Sequence, residues 1–425
     1  DGPMSRGLGD VYKRQGLRSV VLAALLLGII SPIAAGLIQT GRAAFGLMPV
    51  VGAHGSGLEV WRSLCALPGF WTSVRLTLWI GFAATFLSLT LATCFCATAH
   101  ARMTGRSAAR WLAPLLAAPH TAVAIGLAFV LAPSGWIARL LAPLVGWVRP
   151  PDLALINDPW GIALILGLMI KEIPFLLLVM LAALSQIPVQ QHMAAARGLG
   201  YRRSVVWVKI IAPQVWPLIR LPVLVVLAYS LSTVEMGIIL GPSNPPVFSV
   251  FVMRLFMAPD LAMILPASAG ALMLAFLMGV ASATLFVAER LVRYTGLWWI
   301  RAGGRSSRVK PLLRIASLCV VALFVIGALA MVSLVFWSLA WRWPWPSMLP
   351  ETWSFQPWRN AAGVLGSALG NTLLIAGASV FVSLALAILW LEGEDRKGRG
   401  RAGWGEVLIY LCLLYTSDAA DDGTG

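Results

Sequence analysis

Few residues of this chain could carry out chemistry, and their spacing argues against a reaction centre. The 425 residues contain no G-x-x-x-x-G-K-[ST] phosphate-binding loop and no cluster that resembles a nucleophile with its base. The four histidines have no partner at the spacing that a metal needs: His54, His100, His120 and His192. The five cysteines include no C-x-x-C pair: Cys65, Cys94, Cys96, Cys319 and Cys412. We therefore expect no catalytic residues, no metal and no cofactor in this chain.

Three ionisable residues stand inside long apolar stretches, which is costly unless they have a role or a partner. They are Lys171, Glu172 and Glu235, the last of which follows Ser232 and Thr233. Two interpretations stay open for these five residues: a polar lining of a translocation pathway, or hydrogen bonding between helices. Adjacent residues on a helix point about 100° apart, so we do not expect Lys171 and Glu172 to pair, and for them we favour hydrogen bonding between helices.

The elements that hold these residues are predicted to be membrane-spanning helices. The chain is 59% hydrophobic and 12% charged, against about 45–50% and about 25% in soluble domains. A spanning helix needs about 20 mostly apolar residues, whereas barrel strands alternate over about 10. The pattern predicts an all-α polytopic membrane protein, with spans near 19–38, 74–99, 111–132, 161–184, 218–240, 262–288, 315–340 and 368–391 and a ninth from about 405.

The positive charge of the chain records its orientation. Its formal net charge is +15, and the basic residues lie between the apolar segments instead of forming one patch. One alternating set of loops holds 18 of them, for example Arg197, Arg290 and Arg396, and the opposite set holds seven, for example Arg139 and Arg342. Basic residues stay on the cytoplasmic side. We therefore expect a cytoplasmic N-terminus, contact with membrane lipid and no binding of nucleic acid.

The loops with few basic residues are rich in tryptophan. Tryptophan anchors helices at the membrane interface, so we expect these side chains to mark that interface. They are Trp61, Trp71, Trp136, Trp147, Trp160, Trp341, Trp343, Trp345, Trp353 and Trp358.

An internal repeat divides the chain into two homologous halves. A shift of 295 residues places 77–92 on 372–387 with nine identities in sixteen positions. The second half lacks the counterpart of most of the first, so an intact chain would have about twelve spans. We expect a first half of six spans at 16–289, a basic cytoplasmic linker at 290–314 and the start of a second half at 315–412. We expect non-native tails at 1–15 and 413–425.

The loop at 185–213, between the fourth and fifth spans, has the pattern of a helix-turn-helix at the membrane surface. Pro188 can start a helix over 189–199, and Gly200 suits the left-handed residue that ends one. A second short helix is predicted over 202–211, ended by Pro213. We expect its apolar side chains to be exposed as anchors for a partner, and they are Val205, Trp207 and Ile210.

This loop resembles the hallmark of the permease subunits of binding-protein-dependent ABC transporters. Their motif is E-A-A, three residues, G, nine residues, I-x-L-P. This chain has Ala194-Ala195-Ala196, then Gly200, then Ile210-Ile211-Ala212-Pro213 at the same spacing. Ala194 replaces the family's Glu, and Ala212 replaces its Leu.

The resemblance implies a permease subunit of an ATP-driven importer in the bacterial inner membrane. It implies that 188–211 docks into a dimer of a separate ABC ATPase, which binds the ATP, and that a periplasmic solute-binding protein delivers the solute. The similar two-half permeases serve thiamine, ferric iron and related solutes, so a thiamine-type or other small solute is implied. The ATPase-coupling residues would be Ala194, Ala195, Ala196, Gly200, Arg203, Trp207, Ile210 and Pro213.

Two other classes of protein stay open from the sequence. An ATP-independent secondary transporter would also show an internal repeat and charges within the membrane. A membrane-embedded enzyme or assembly protein is a third possibility. Uptake without ATP would favour the secondary transporter, and catalysis without a partner would favour the membrane-embedded enzyme.

Overall fold

A computed structural model describes residues 26–55, 57–99, 105–301, 303–304 and 309–395. Three predictions therefore lie outside the described residues: the two non-native tails and the ninth span from about 405. The predicted first span at 19–38 lies partly outside them.

The described chain is almost entirely helical. Its helices are α1 Ser31–Ala44, α2 Glu59–Ala66, α3 Phe70–Ala99, α4 Gly105–Ala117, α5 His120–Leu131, α6 Trp136–Val145, α7 Ile162–Ser185, α8 Val189–Gly198, α9 Arg203–Val206, α10 Ala212–Ser232, α11 Glu235–Leu240, α12 Phe248–Phe256, α13 Ile264–Arg301, α14 Val309–Leu339 and α15 Gln356–Asp395. There are also two antiparallel ribbons, β1 Leu47–Met48 with β2 Ala53–His54 and β3 Ala340–Arg342 with β4 Thr352–Trp353. Short π-helical turns lie at Leu26–Ile30 and Trp207–Ile211, and short 3-10 turns lie at Pro49–Val51 and Leu261–Met263.

Seven helical segments of the described residues are long and apolar enough to cross a membrane: Phe70–Ala99, His120–Val145, Ile162–Ser185, Arg203–Ser232, Leu261–Arg301, Pro311–Leu339 and Gln356–Leu389. Each overlaps one of the predicted spans. The prediction of an all-α polytopic membrane protein is confirmed.

Residues 43–353 form one compact unit with α7 at its centre. Most side chains of α7 are buried, and it packs against α3, α4, α5, α10, α11 and α14. A helix that is apolar on every side is stable only when it is surrounded. Lys171 and Glu172, which belong to α7, therefore lie at the centre of the unit.

The predicted span at 111–132 is broken, which corrects its boundary. Helix α4 ends at Ala117 and α5 starts at His120, with Pro119 between them. Proline has no amide hydrogen to donate and disfavours the helical conformation of the residue before it. The segment that is long and apolar enough to cross a membrane runs through α5 and α6, from His120 to Val145, instead.

Helix α14, the predicted first span of the second half, belongs to the same unit as α2 to α13. Its Ala330 backbone lies so close to Gly126 of α5 that a Cβ atom on Gly126 would overlap the Ala330 carbonyl. The Ser333 hydroxyl donates to the Gly126 carbonyl at 3.3 Å. Small residues allow two helix backbones to approach in this way.

The two predicted halves begin with the same order of elements. A helix, a short antiparallel ribbon and a long spanning helix follow one another in α1 to α3 and again in α14 to α15, with α2 inserted in the first set. Under the shift of 295 residues, the end of α1 at Ala44 falls on the end of α14 at Leu339. This order agrees with the repeat, and the division into domains stays a prediction.

Several of the loop tryptophans enclose the side chain of Arg139. Its guanidinium is buried and donates to the carbonyls of Pro344 at 2.8 Å and Ser347 at 2.6 Å. It also lies over the rings of Trp343 and Trp345, at 5.1 and 5.5 Å from their centroids. The loop between β3 and β4 is therefore fastened to α6.

Residues 1–42 and 354–425 group into a second unit, of which α15 and most of α1 are described. The side chains of α15 whose burial is described are almost all exposed, including Phe381 at 74%. Such an apolar surface is expected of a helix in contact with lipid.

Candidate functional site

The first helix of the coupling segment, which we define as residues 188–211, forms where the sequence predicts it. Pro188 stands immediately before α8, and its carbonyl accepts from the His192 amide at 3.1 Å. The missing amide hydrogen of a proline costs nothing there, because the first amides of a helix have no partner within it.

Gly200 ends this helix in the left-handed conformation, with a φ of 83°. Its amide donates to the Arg197 carbonyl at 2.9 Å, and the Tyr201 amide donates to the Ala196 carbonyl at 3.0 Å. These two bonds are the Schellman arrangement, which satisfies the last carbonyls of a helix and favours glycine at this position. The glycine of the sequence motif is therefore the residue that turns the chain from α8 to α9.

Some residues of the motif are exposed to solvent, and others are buried against the bundle. Ala194, Ala195 and Gly200 are exposed, whereas Ala196 is buried. Arg203, at the start of α9, is exposed as well. The structure brings these exposed residues together on the turn between two short helices.

The predicted exposure of Val205, Trp207 and Ile210 is wrong. Val205 and Trp207 are 3% and 4% exposed, and Ile210 is half-buried. The apolar side of the segment faces the bundle, where Trp207 lines a cavity of about 100 Å³ together with residues of α3, α7 and α10. Trp207 anchors the segment to its own chain, so it is not an available contact for a partner.

Pro213 does not end the second helix, which corrects another prediction. The chain continues from α9 through a π-helical turn at Trp207–Ile211 into α10, so that Arg203–Ser232 is one helical segment of 30 residues. A wider turn before the proline relieves the clash between its ring and the carbonyl four residues earlier in the helix. The coupling segment therefore runs into the membrane without interruption, and Pro213 itself is exposed.

Lys209 ties the coupling segment to the end of α13. Its side chain is buried, and its Nζ donates to the carbonyls of Trp299 and Gly304, each at 3.1 Å. The same Nζ lies 4.6 Å from the ring centroid of Trp299. A cation at the C-terminal end of a helix is favourable because the last carbonyls lack partners.

A second polar site surrounds Glu172 within the membrane helices. The Ser88 hydroxyl of α3 donates to its carboxylate at 2.8 Å, and the Ser230 hydroxyl of α10 donates to the other oxygen. The Thr85 hydroxyl lies 3.4 Å from the Ser230 hydroxyl, within hydrogen-bonding distance. Ser88, Thr85 and Ser230 were not among the predicted site residues, because a serine or threonine in a helix can bond to its own backbone and leaves no signal in the sequence.

Lys171 points to a different place. Its Nζ donates to the carbonyls of Leu115, Leu116 and Ala118 at 2.8, 3.1 and 2.7 Å. These are the carbonyls that the break at Pro119 leaves without helical partners. Lys171 and Glu172 thus bond to other helices and not to each other.

Ser232 and Thr233 form hydrogen bonds away from Glu172. The Ser232 hydroxyl donates to the Ala228 carbonyl of its own helix at 2.9 Å. Thr233 lies in the break between α10 and α11, where its carbonyl accepts from the Ser249 hydroxyl at 2.7 Å. Glu235 begins α11, a position that favours an acidic side chain.

Comparisons with known proteins agree with the resemblance that the sequence around Gly200 carries. The chain is 29% identical over 284 residues to the inner membrane ABC transporter permease protein YnjC of Escherichia coli (strain K12). The match covers 67% of this chain and 49% of that protein, so the chain spans about half the length of this curated relative. No protein-family model matches the sequence. The resemblance inferred from the sequence is confirmed, and the relative is a transport permease.

A solved structure shows the same fold. It is the crystal structure of a bacterial alginate ABC transporter in complex with an alginate pentasaccharide-bound periplasmic protein. The TM-score is 0.51 at 18% identity, and the match covers 68% of this chain and 97% of the other. The chain is therefore a multi-pass protein with an ABC permease fold, and its relative resides in the inner membrane.

Proposed function

We propose that this chain forms the translocation pathway of an ATP-driven solute importer and couples it to a separate ABC ATPase through residues 188–211. The observation that carries the proposal is the turn at Gly200, which presents Ala194, Ala195 and Arg203 on a surface outside the bundle. A partner that contacts this surface would act on the coupling segment, whose opposite side packs against the helical bundle.

The coupling would be mechanical. Arg203–Ser232 is continuous over 30 residues, which corresponds to a rod about 45 Å long. Trp207 holds the beginning of this rod against α3 and α7, and Lys209 holds it against the end of α13. A displacement imposed at α8 by closure of the ATPase dimer would therefore reach three spanning helices together.

The proposal includes a periplasmic solute-binding protein, a cytoplasmic N-terminus and a thiamine-type or other small solute. Ser232, Thr233 and Glu235 stay in the proposed pathway, since the helix is interrupted between α10 and α11, and irregular backbone within a membrane bundle is found where it is buried in protein or lines a cavity. For Lys171 and Glu172, the contacts favour the alternative of hydrogen bonding between helices.

Gly200→Asp tests the docking surface. Aspartate adds a charge to the proposed contact, so we expect the copurified ABC ATPase to fall at least about tenfold, a loss of about 1.4 kcal/mol. The ATPase is identified by mass spectrometry through its phosphate-loop peptide. Gly200→Asn is the matched control, because asparagine tolerates a positive φ and carries no charge.

Equal copurification with Gly200→Asp and the wild type would overturn the docking surface. Uptake by reconstituted protein in the absence of ATP would overturn the ATP-driven importer and favour a secondary transporter. Membrane insertion of each variant, measured by fractionation, separates these outcomes from a failure to fold.

A further inference from the structure

A basic groove of about 420 Å³ lies between α10 and α13. Arg220 lines it from α10, and Phe286, Val287, Glu289, Arg290 and Arg293 line it from α13. None of these residues belongs to the coupling segment or to the Glu172 site.

The position of the groove follows from where the two helices touch. Leu227, Leu231 and Ala281 pack together in one apolar cluster. Arg220 precedes Leu227 by seven residues and Glu289 follows Ala281 by eight, which places both about 10–12 Å from the cluster along antiparallel helices. The groove therefore opens at the end of the helices that leads to the basic loops, near the level of the membrane interface.

The charges of the groove are not balanced by the protein. Glu289 pairs with Arg293 at 3.1 Å. Arg220 and Arg290 are exposed and form no ion pair with any carboxylate of the described residues. Two guanidinium groups are thus free to bind an anion with several oxygen acceptors, for which the planar donor pattern of arginine is suited.

The apolar members of the lining select the kind of anion. Phe286 and Val287 are 47% and 57% exposed. An apolar surface beside two unpaired arginines at a membrane interface matches a molecule with an anionic head and a hydrocarbon tail. Basic pockets between spanning helices on the cytoplasmic side bind lipid headgroups in this manner.

We propose that the groove between α10 and α13 binds the phosphate headgroup of an anionic phospholipid through Arg220 and Arg290. The acyl chains lie along Phe286 and Val287. Because α10 continues from the coupling segment, this lipid bridges the coupled helix and α13. The proposal does not depend on the identity of the ATPase or of the solute.

The test measures lipid retained by the full chain. The protein is reconstituted in bilayers of equal phosphatidylglycerol and phosphatidylcholine, and bound lipid is counted by native mass spectrometry after mild extraction. We expect enrichment of phosphatidylglycerol on the wild type. Each arginine contributes about 1 kcal/mol of attraction, or about fivefold, so Arg220→Gln with Arg290→Gln lowers the enrichment about 25-fold.

Arg301→Gln is the matched control, because Arg301 is an exposed arginine of the same helix outside the groove. It should keep the enrichment of the wild type. An equal loss with Arg301→Gln, or no enrichment on the wild type, would overturn the site. Millimolar inorganic phosphate should not displace the lipid, because the acyl chains lie along Phe286 and Val287. Complete displacement would show that the groove prefers a free anion and would overturn the lipid as its occupant. If the double variant aggregates, Arg220→Gln alone should still lower the enrichment about fivefold, or about 1 kcal/mol.

Discussion

Glu172 holds three helices together through its carboxylate. It lies on α7 and accepts hydrogen bonds from Ser88 of α3 and Ser230 of α10. Its replacement by alanine removes both hydrogen bonds and leaves a void in a closely packed region. We expect Glu172→Ala to lower the free energy of unfolding by about 2–4 kcal/mol, measured by thermal unfolding in detergent.

Glu289→Ala provides the comparison for that prediction. Glu289 makes one ion pair with Arg293, four residues along the same helix, and the arginine is largely exposed. Such pairs contribute about 0.3–0.5 kcal/mol. Similar losses in the two variants would show that the hydroxyl contacts of Glu172 do not stabilise the bundle.

Single residues also show where sequence reasoning ends. The scarcity of charge in the membrane segments predicts that Lys171 and Glu172 need partners, and both have them. The partners themselves are backbone carbonyls and serine hydroxyls, which occur throughout the chain and carry no distinguishing pattern. The predicted exposure of Trp207 is wrong for a related reason. A large apolar side chain on a surface segment can face its own bundle or a partner, and the amino-acid composition is the same in both cases.

At the scale of elements, the contact of Lys209 with the end of α13 should control the stability of the last turn of that helix. Lys209→Met removes the donor to the Trp299 and Gly304 carbonyls but keeps an apolar stem of similar length. We expect amide hydrogen exchange in 299–304 to accelerate at least about tenfold, which corresponds to a loss of about 1.4 kcal/mol.

Arg203→Gln is the control for this exchange experiment. Arg203 lies in the same segment, is exposed, and has no hydrogen bond to α13 among the described contacts. Its replacement should leave exchange in 299–304 unchanged. Unaltered exchange in Lys209→Met would mean that α13 ends stably without the lysine.

Two prolines explain why span positions could be predicted but not all helix boundaries. Seven segments can be located from hydropathy alone, because each contains enough apolar length to cross a membrane. At Pro119 the helix breaks, and Lys171 satisfies the freed carbonyls. At Pro213 the helix continues through a widened turn. At Pro119 the compensating side chain lies 53 residues from the Ala118 carbonyl that it binds, and a local pattern does not contain it.

At the scale of the whole molecule, the two ends of the helical bundle differ in their chemistry. One end carries the tryptophans that enclose Arg139. The other carries the coupling segment, Lys209 and the arginine-lined groove. The proposed orientation assigns the first end to the periplasm and the second to the cytoplasm, and the coupling proposal requires it because an ATPase has its nucleotide in the cytoplasm.

Single cysteines at Arg149 and Arg301 test this orientation. Both residues are exposed, and three candidate spans separate them, which places them on opposite sides of the membrane. In a background without the five native cysteines, a membrane-impermeant maleimide should label Arg149→Cys in intact spheroplasts. It should label Arg301→Cys only after the membrane is permeabilised. The reverse pattern would place Gly200 outside the cell, where no ATPase could reach it, and would overturn the orientation and the coupling proposal together.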